Sequence, residues 1–330
     1  MKENRDSQPN GRIIDRYLDI LSGQRKLPDN TVVNYRRDLQ QLKKLAGETA
    51  LFSLSPSEIR RFVSQLHASG LTPRSIARKL SAWRGFFLWL AEESIIGANP
   101  AEDIHAPKKG KPLPKALSVD DAVRLVSTNP DCDNTSAVKA ASALCDHAVL
   151  ELLYSSGLRV SELTSLDTYA VRESGYTSTG WIDLTEKEVT VTGKGSKTRI
   201  VPVGDAAVVA IRKWLAVRNQ LTRPDMNRDD LHALFINSRG HRLSPRLVQL
   251  RLKDHARRLG LPVNVHPHVL RHSFASHILQ SSGDLRAVQE MLGHASITST
   301  QVYTALDFQH LAKVYDLAHP RAKAVKKDHD

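Results

Sequence analysis

Six side chains from residue 159 onward are of types that could act on a phosphodiester. Arg159 lies in Gly157-Leu158-Arg159-Val160-Ser161-Glu162-Leu163, where one helical pattern stops and another starts. Lys194 lies in the turn Gly193-Lys194-Gly195-Ser196-Lys197-Thr198-Arg199. His268 and Arg271 stand three apart in His266-Pro267-His268-Val269-Leu270-Arg271-His272, and so share one helical face. His294 follows Leu292-Gly293, and Tyr303 sits in Thr300-Gln301-Val302-Tyr303-Thr304. Taken singly, each has an ordinary explanation as a turn residue, an exposed helix residue or half-buried packing. Together they fit one reaction. Two guanidinium groups can clamp the nonbridging oxygens of a phosphodiester and hold the charge of a pentacoordinate transition state. A tyrosine can attack phosphorus and form a covalent phosphotyrosine. A lysine on a turn can protonate the departing sugar oxygen, and histidines can shuttle protons or donate to the phosphate.

Other chemistries lack their residues. There is no Gly-x-x-x-x-Gly-Lys-[Ser/Thr] and no Gly-x-Gly-x-x-Gly after a strand, so nucleotide cofactors have no cradle and no cofactor is expected. There is no Gly-x-Ser-x-Gly elbow. His268 and His272 stand at i, i+4 but lack the intervening glutamate of His-Glu-x-x-His, and Arg271 sits beside them, so no metal is expected. In a site of this kind the guanidinium groups do the electrostatic task a divalent ion does elsewhere. Two cysteines, Cys132 and Cys145, cannot build a disulfide scaffold.

The elements that must position these residues fall into two domains, as 330 residues suggest. Residues 1–105 read as helices only. Ser55-Pro56-Ser57-Glu58 is a capping box with proline at the first helical position, followed by Ile59, Phe62, Val63 and Leu66 at helical spacing. Thr72-Pro73 opens the next helix, with Ile76, Leu80, Trp83 and Phe87 on one stripe and an end near Gly97. Residues 13–21 and 31–45 show the same period, giving a four-helix bundle. Residues 106–116 hold four lysines, three prolines and no acid, and read as an extended basic linker. Residues 117–330 are mostly helical, with helices capped at Ser118 and over 136–154. They carry one small antiparallel sheet over 181–184, 188–192 and 199–203. The stretch 173–180 reads as a polar loop insertion before the sheet.

The chain carries +12, and the excess divides evenly, +4 in each of 1–105, 106–116 and 117–330. A clamp on a polyanion needs basic residues in both domains, and this distribution permits one. No apolar run approaches the ~20 residues that span a bilayer, and no apolar segment follows the first residues, so a cytoplasmic protein is expected.

The order Arg…Lys…His-x-x-Arg…His…Tyr resembles the tyrosine (phage-integrase type) site-specific recombinases. Residues 157–163, 268–273, 285–294 and 300–304 are similar in wording to the Xer branch of that family. Arg271 to His294 is 23 positions and His294 to Tyr303 is 9, a spacing similar to the family's. The resemblance implies a mainly α (α+β) fold: a SAM-like core-binding helical bundle, then a mostly helical catalytic domain with a small antiparallel sheet. It implies Tyr303 as nucleophile, forming a 3′-phosphotyrosine, and Arg159 and Arg271 as phosphate clamp. Lys194 is the implied general acid, with Lys197 the alternative in the same turn, and His268 and His294 support. The implied partners are double-stranded DNA with a dif-like site, a XerD-like recombinase in a two-plus-two heterotetramer, and an FtsK-like translocase. Arg159 and Lys194 are 35 apart, a wide spacing, and Ala305 stands where the family has a histidine. Phe308, Leu311, Ala312 and Tyr315 form an apolar stripe on a terminal helix. By periodicity alone it packs on its own domain; the resemblance implies docking on a neighbouring protomer. A mobile-element or phage integrase of the same family, a type IB topoisomerase and a purely architectural DNA-binding protein are the rival readings.

Overall fold

Capping chemistry decides where the helices of the first half begin. In the computed structural model, which describes residues 9–25, 27, 29–108, 116–127, 136–193, 197–261, 265–293 and 305–322, the chain divides into two units, Met1–Pro112 and Leu113–Asp330. The first unit is built on α1 (Pro9–Gly23), α2 (Asp29–Ala46), α3 (Pro56–Ala68) and α4 (Pro73–Glu92). At α3 the Ser55 N–H donates to Glu58 Oε2 at 2.9 Å while Ser55 Oγ accepts from the Glu58 N–H, so the predicted capping box is present. Thr72 Oγ1 accepts the Ser75 N–H and starts α4 in the same way. The predicted stripes Ile59, Phe62, Val63, Leu66 and Ile76, Leu80, Trp83, Phe87 are all buried. α1 and α2 extend beyond the predicted ranges because their polar ends carry no periodic apolar signal. α4 ends at Glu92, earlier than Gly97, with the Glu93 N–H donating to Trp89 O.

The second unit runs α5 (Val119–Ser127), α6 (Ala137–Ser156), α7 (Val160–Thr164), β1 (Arg172–Glu173), β2 (Tyr176–Thr177), β3 (Gly180–Asp183), β4 (Glu188–Thr192), β5 (Thr198–Pro202). After the strands come α8 (Asp205–Arg218), α9 (Arg228–His232), α10 (Pro245–Arg258), α11 (Pro267–Ser282), α12 (Leu285–Leu292) and α13 (Ala305–Ala318). The antiparallel sheet has the order β3-β4-β5, with Val189 opposite Val201 and Val191 opposite Arg199. α6 is the spine: from Ala148 to Ser156 every residue is buried, as expected of a helix packed on all sides. Its Tyr154 hydroxyl pairs with His277 Nδ1 of α11 at 2.9 Å, and His277 Nε2 pairs with Leu117 O at 2.9 Å. The carbonyl can only accept, so Nε2 carries the proton and Nδ1 accepts from the tyrosine. The Leu117 N–H in turn donates to Ser273 Oγ at 2.9 Å, so α11 holds both backbone groups of Leu117. Among the described residues no helix is long and apolar enough to cross a membrane.

One expectation changes. The stretch 173–180 is a hairpin, β1 against β2, rather than a loop. The Tyr176 hydroxyl ties it down, donating to the buried Asp167 carboxylate at 3.0 Å, and Arg242 closes the group on Asp167 at 2.7 Å. Two-residue strands are too short to show a period of two. The terminal helix packs on its own unit, as its periodicity alone predicts. α13 lies against α11, α12 and β5, and Leu311 and Tyr315 are buried there, while the side chain of Phe308 lies outside the described residues. The reason is polar as well as apolar: Tyr315 Oη and Ser155 Oγ of α6 share a hydrogen bond of 2.7 Å. Tyr315→Ala, which leaves a ring-sized void and removes the hydrogen bond to Ser155, is expected to destabilise the second unit by roughly 3–5 kcal/mol in urea unfolding. An unchanged midpoint would mean that α13 contributes nothing to that core.

Candidate active site

α6 ends where it must turn sharply beneath α11. Gly157 adopts φ +55°, and a Cβ there would lie 2.4 Å from the Phe274 ring, so both conformation and space demand glycine. Two residues later Arg159 caps the start of α7. Its backbone N–H donates to Glu162 Oε2 at 2.9 Å and its Nη1 to Oε1 at 2.7 Å, and its side chain remains 35% exposed. Arg271 projects from the second turn of α11 and is buried. Its Nη1 donates to Gly157 O at 2.7 Å and its Nη2 to Leu292 O. Arg159 Nη2 reaches the next carbonyl, Gly293 O, at a long 3.4 Å. The structure thus brings the two predicted clamp residues together, both fastened to the turn that ends α12.

Two residues absent from the predicted set hold this arrangement. Glu162 is buried between Arg159 and Arg199 of β5. Arg199 donates Nη1 to Glu162 Oε1 at 2.9 Å, Nη2 to Oε2 at 2.8 Å, and Nε to Met291 O at 2.9 Å. Burial alone would raise the Glu162 carboxyl, but the hydrogen bonds and charge of Arg199, then those of Arg159, outweigh it and hold the pKa down at about 2. Burial lowers Arg271 to about 10 and the neighbouring charge of Arg159 adds to this, so Arg271 stays protonated at neutral pH. Two guanidinium groups therefore bind one carboxylate, and a third, Arg271, lies close enough to feel its charge. The surplus positive charge suits a phosphate.

Of the remaining predicted residues, His268 lies exposed on the first turn of α11, its ring edge-on to His266 at 6.0 Å. Lys194, His294 and Tyr303 lie outside the described residues. Lys197 is described and exposed, and its carbonyl accepts the Gly193 N–H at 2.8 Å, which closes the turn. Among the described residues no three His, Cys, Asp or Glu side chains gather as metal ligands would. Both missed residues had a readable signal. Glu162 is the acid three after a helix start. Arg199 shares the core face of its strand with Val201, and a charge on a core face requires a buried partner.

Residues 14–94 match the phage integrase N-terminal SAM-like domain and residues 116–310 match the phage integrase family. The chain is 55% identical to tyrosine recombinase XerC 1 of Ralstonia nicotianae over 94% of each chain. It is 47% identical to XerC of Alcanivorax borkumensis over 98% of each. Its fold is similar to a lambda integrase dimer bound to a COC′ core site, with TM-score 0.63 and 17% identity over 89% of this chain and 98% of that one. A Tn1549 transposon integrase in complex with circular intermediate DNA aligns with TM-score 0.65 and 15% identity over 90% of this chain and 98% of that one. The chain belongs to the phage integrase family, the enzymes that break and rejoin DNA. Within that family it is a XerC-like tyrosine recombinase.

The depressed Glu162 pKa makes a testable statement about stability. A carboxyl that titrates at about 2 when folded and at 4.5 when unfolded stabilises the protein fully above pH 4.5 and loses that contribution as pH falls toward 2. The contribution is on the order of 3 kcal/mol at 1.4 kcal/mol per pH unit. Unfolding free energies of the wild type and Glu162→Gln are expected to converge as pH drops through this window. Parallel curves would show that Glu162 is not held ionised by its arginines.

Proposed function

We propose that the chain is a site-specific recombinase that cuts and reseals dif-like DNA through Tyr303, paired with a XerD-like recombinase in a two-plus-two assembly. In this reading residues 1–105 form the core-binding domain, 106–116 the basic linker and 117–330 the catalytic domain. The Tyr303 oxygen bonds to phosphorus as the bond from phosphorus to the 5′ oxygen breaks. The tyrosine gives up its proton, and Lys194 supplies one to the departing oxygen. Arg159 and Arg271 hold the phosphoryl oxygens, with His268 and His294 in support. The 3′-phosphotyrosine retains the energy of the broken bond, so the 5′-hydroxyl of another strand reseals it without ATP. The guanidinium groups carry the charge a divalent ion would otherwise balance. The task is resolution of chromosome dimers in the cytoplasm before division, with an FtsK-like translocase acting through the partner.

One observation carries most of this reading. Arg159 and Arg271 donate to adjacent carbonyls, Gly293 O and Leu292 O, of one turn, in a cluster with more positive than negative charge. The XerC relatives over nearly the full length support the cellular role.

The test is a nicked half-site duplex that traps the covalent complex, followed by mapping of the modified residue. A tyrosine hydroxyl has a pKa near ~10 and needs its cationic surroundings to react at neutral pH. Tyr303→Phe is expected to bind the half-site normally and form no adduct. Arg271→Lys is expected to cut about 100-fold more slowly, since a point charge cannot reproduce the two-pronged guanidinium. Cleavage is expected to persist in excess EDTA. An adduct at another residue, or activity abolished by the chelator, overturns the assignment. Recombination at an attachment site and not at dif would make the chain a mobile-element integrase.

A further inference from the structure

Arg199 has no role in the reaction as proposed, yet it touches the segments that carry the reactive residues. Through Glu162 it meets Arg159. Through Met291 O it meets the end of α12, three residues before His294. It stands five residues after Lys194, at the start of β5. It also shapes the α12 turn sterically. Gly293 has φ +64°, and a Cβ there would lie 3.1 Å from Arg199 Cδ and Nη1, so the guanidinium packs where a side chain would stand.

The sharing of Glu162 is the informative detail. Each carboxylate oxygen accepts twice: Oε1 from Arg159 Nη1 and Arg199 Nη1, Oε2 from the Arg159 backbone N–H and Arg199 Nη2. Arg199 therefore occupies the position on Oε2 that Arg159 Nη2 would otherwise take in a bidentate pair. As a result, among the described residues, Arg159 Nη2 has only its long bond to Gly293 O. That loosely engaged edge, on a side chain one-third exposed, is the part of Arg159 free to meet a phosphate oxygen. A buried ion pair is a costly way to stabilise a core, since apolar replacements often do as well. The neighbouring core-facing position of β5 is indeed a valine, Val201.

We propose that Arg199 is a positioning residue for the phosphate clamp: by sharing Glu162 and pinning the Met291–Gly293 turn, it keeps one edge of Arg159 available for the scissile phosphate. Without it Glu162 would draw both Nη groups of Arg159 inward, and the clamp would lose one prong. This rests on the reading of Arg159 as a clamp residue, so the test includes Arg159 itself.

Full-length wild type, Arg199→Gln, Arg199→Lys and Arg159→Ala are compared in single-turnover cleavage of the nicked half-site, with half-site binding measured by gel shift. Each is repeated on a duplex with a methylphosphonate at the scissile position, which removes the negative charge that Arg159 would meet. Arg199→Gln is expected to bind the half-site as the wild type does and to cut about 100-fold more slowly, the scale of a clamp displaced by an ångström. Arg199→Lys keeps the charge without the fork and is expected to recover only part of the rate. On the methylphosphonate the penalties of Arg199→Gln and Arg159→Ala are both expected to shrink. An Arg199→Gln penalty equal on both substrates, or matched by a fall in binding, overturns the proposal. Arg159→Ala cutting at the wild-type rate overturns instead the clamp on which it rests. The double variant Glu162→Gln/Arg199→Gln removes the carboxylate that would draw Arg159 inward, and so separates that effect from the loss of Arg199 itself. It is expected to cut faster than Arg199→Gln alone, and a double variant no faster than the single one also overturns the proposal.

Discussion

A single buried carboxylate, Glu162, organises the catalytic unit. Its two oxygens receive four donors from Arg159 and Arg199, and nearly all its surface is withdrawn from water. A charge so placed is stable only while its partners stay in register, because losing one leaves an uncompensated ion in a poor solvent. The constraint spreads outward from there. Arg199 must come from β5, so the sheet must lie beside α7; its Nε must reach Met291, so α12 must end there. Arg271 closes the circuit from α11 to the Gly157 and Leu292 carbonyls. Segments of α7, β5, α11 and α12 are thereby linked in one network of arginine hydrogen bonds around this ion.

Glycine makes the approach possible at two of these points. At Gly157 the backbone passes under the Phe274 ring in a left-handed conformation, and at Gly293 it passes against the Arg199 guanidinium. Neither place admits a side chain, so the arginines are held by backbone that has been brought close rather than by long flexible reaches. Side chains anchored on rigid carbonyls lose less freedom on meeting a ligand, which favours preorganised electrostatics.

Much of this was legible in the sequence, and the remainder failed for physical reasons. The capping boxes, the apolar stripes of α3 and α4 and the three strands of the sheet follow from local pattern, which is why they are where the residues indicate. Type and spacing single out Arg159 and Arg271, which the structure brings to one turn. Arg199 does not stand out in the sequence because it follows two other cations, Lys194 and Lys197, within five residues. Only its place on the core face of β5 distinguishes it, and that is apparent only once the strand's register is known. The β1–β2 hairpin was unreadable for a different reason. Its stability lies in Tyr176, Asp167 and Arg242, distant in sequence, and not in any alternation of its own. Likewise, the position of α13 depends on a hydroxyl of α6 that no terminal periodicity encodes.

Leu117 follows directly on the basic linker, and α11 holds it by both its N–H and its carbonyl, through Ser273 and His277. Those two side chains lie two and six residues beyond Arg271 on the same helix. Leu117 is also buried in the apolar core, so the start of the second unit is fixed to α11 by two hydrogen bonds and by packing together. The helix that carries His268 and Arg271 is thus also the one on which the second unit begins.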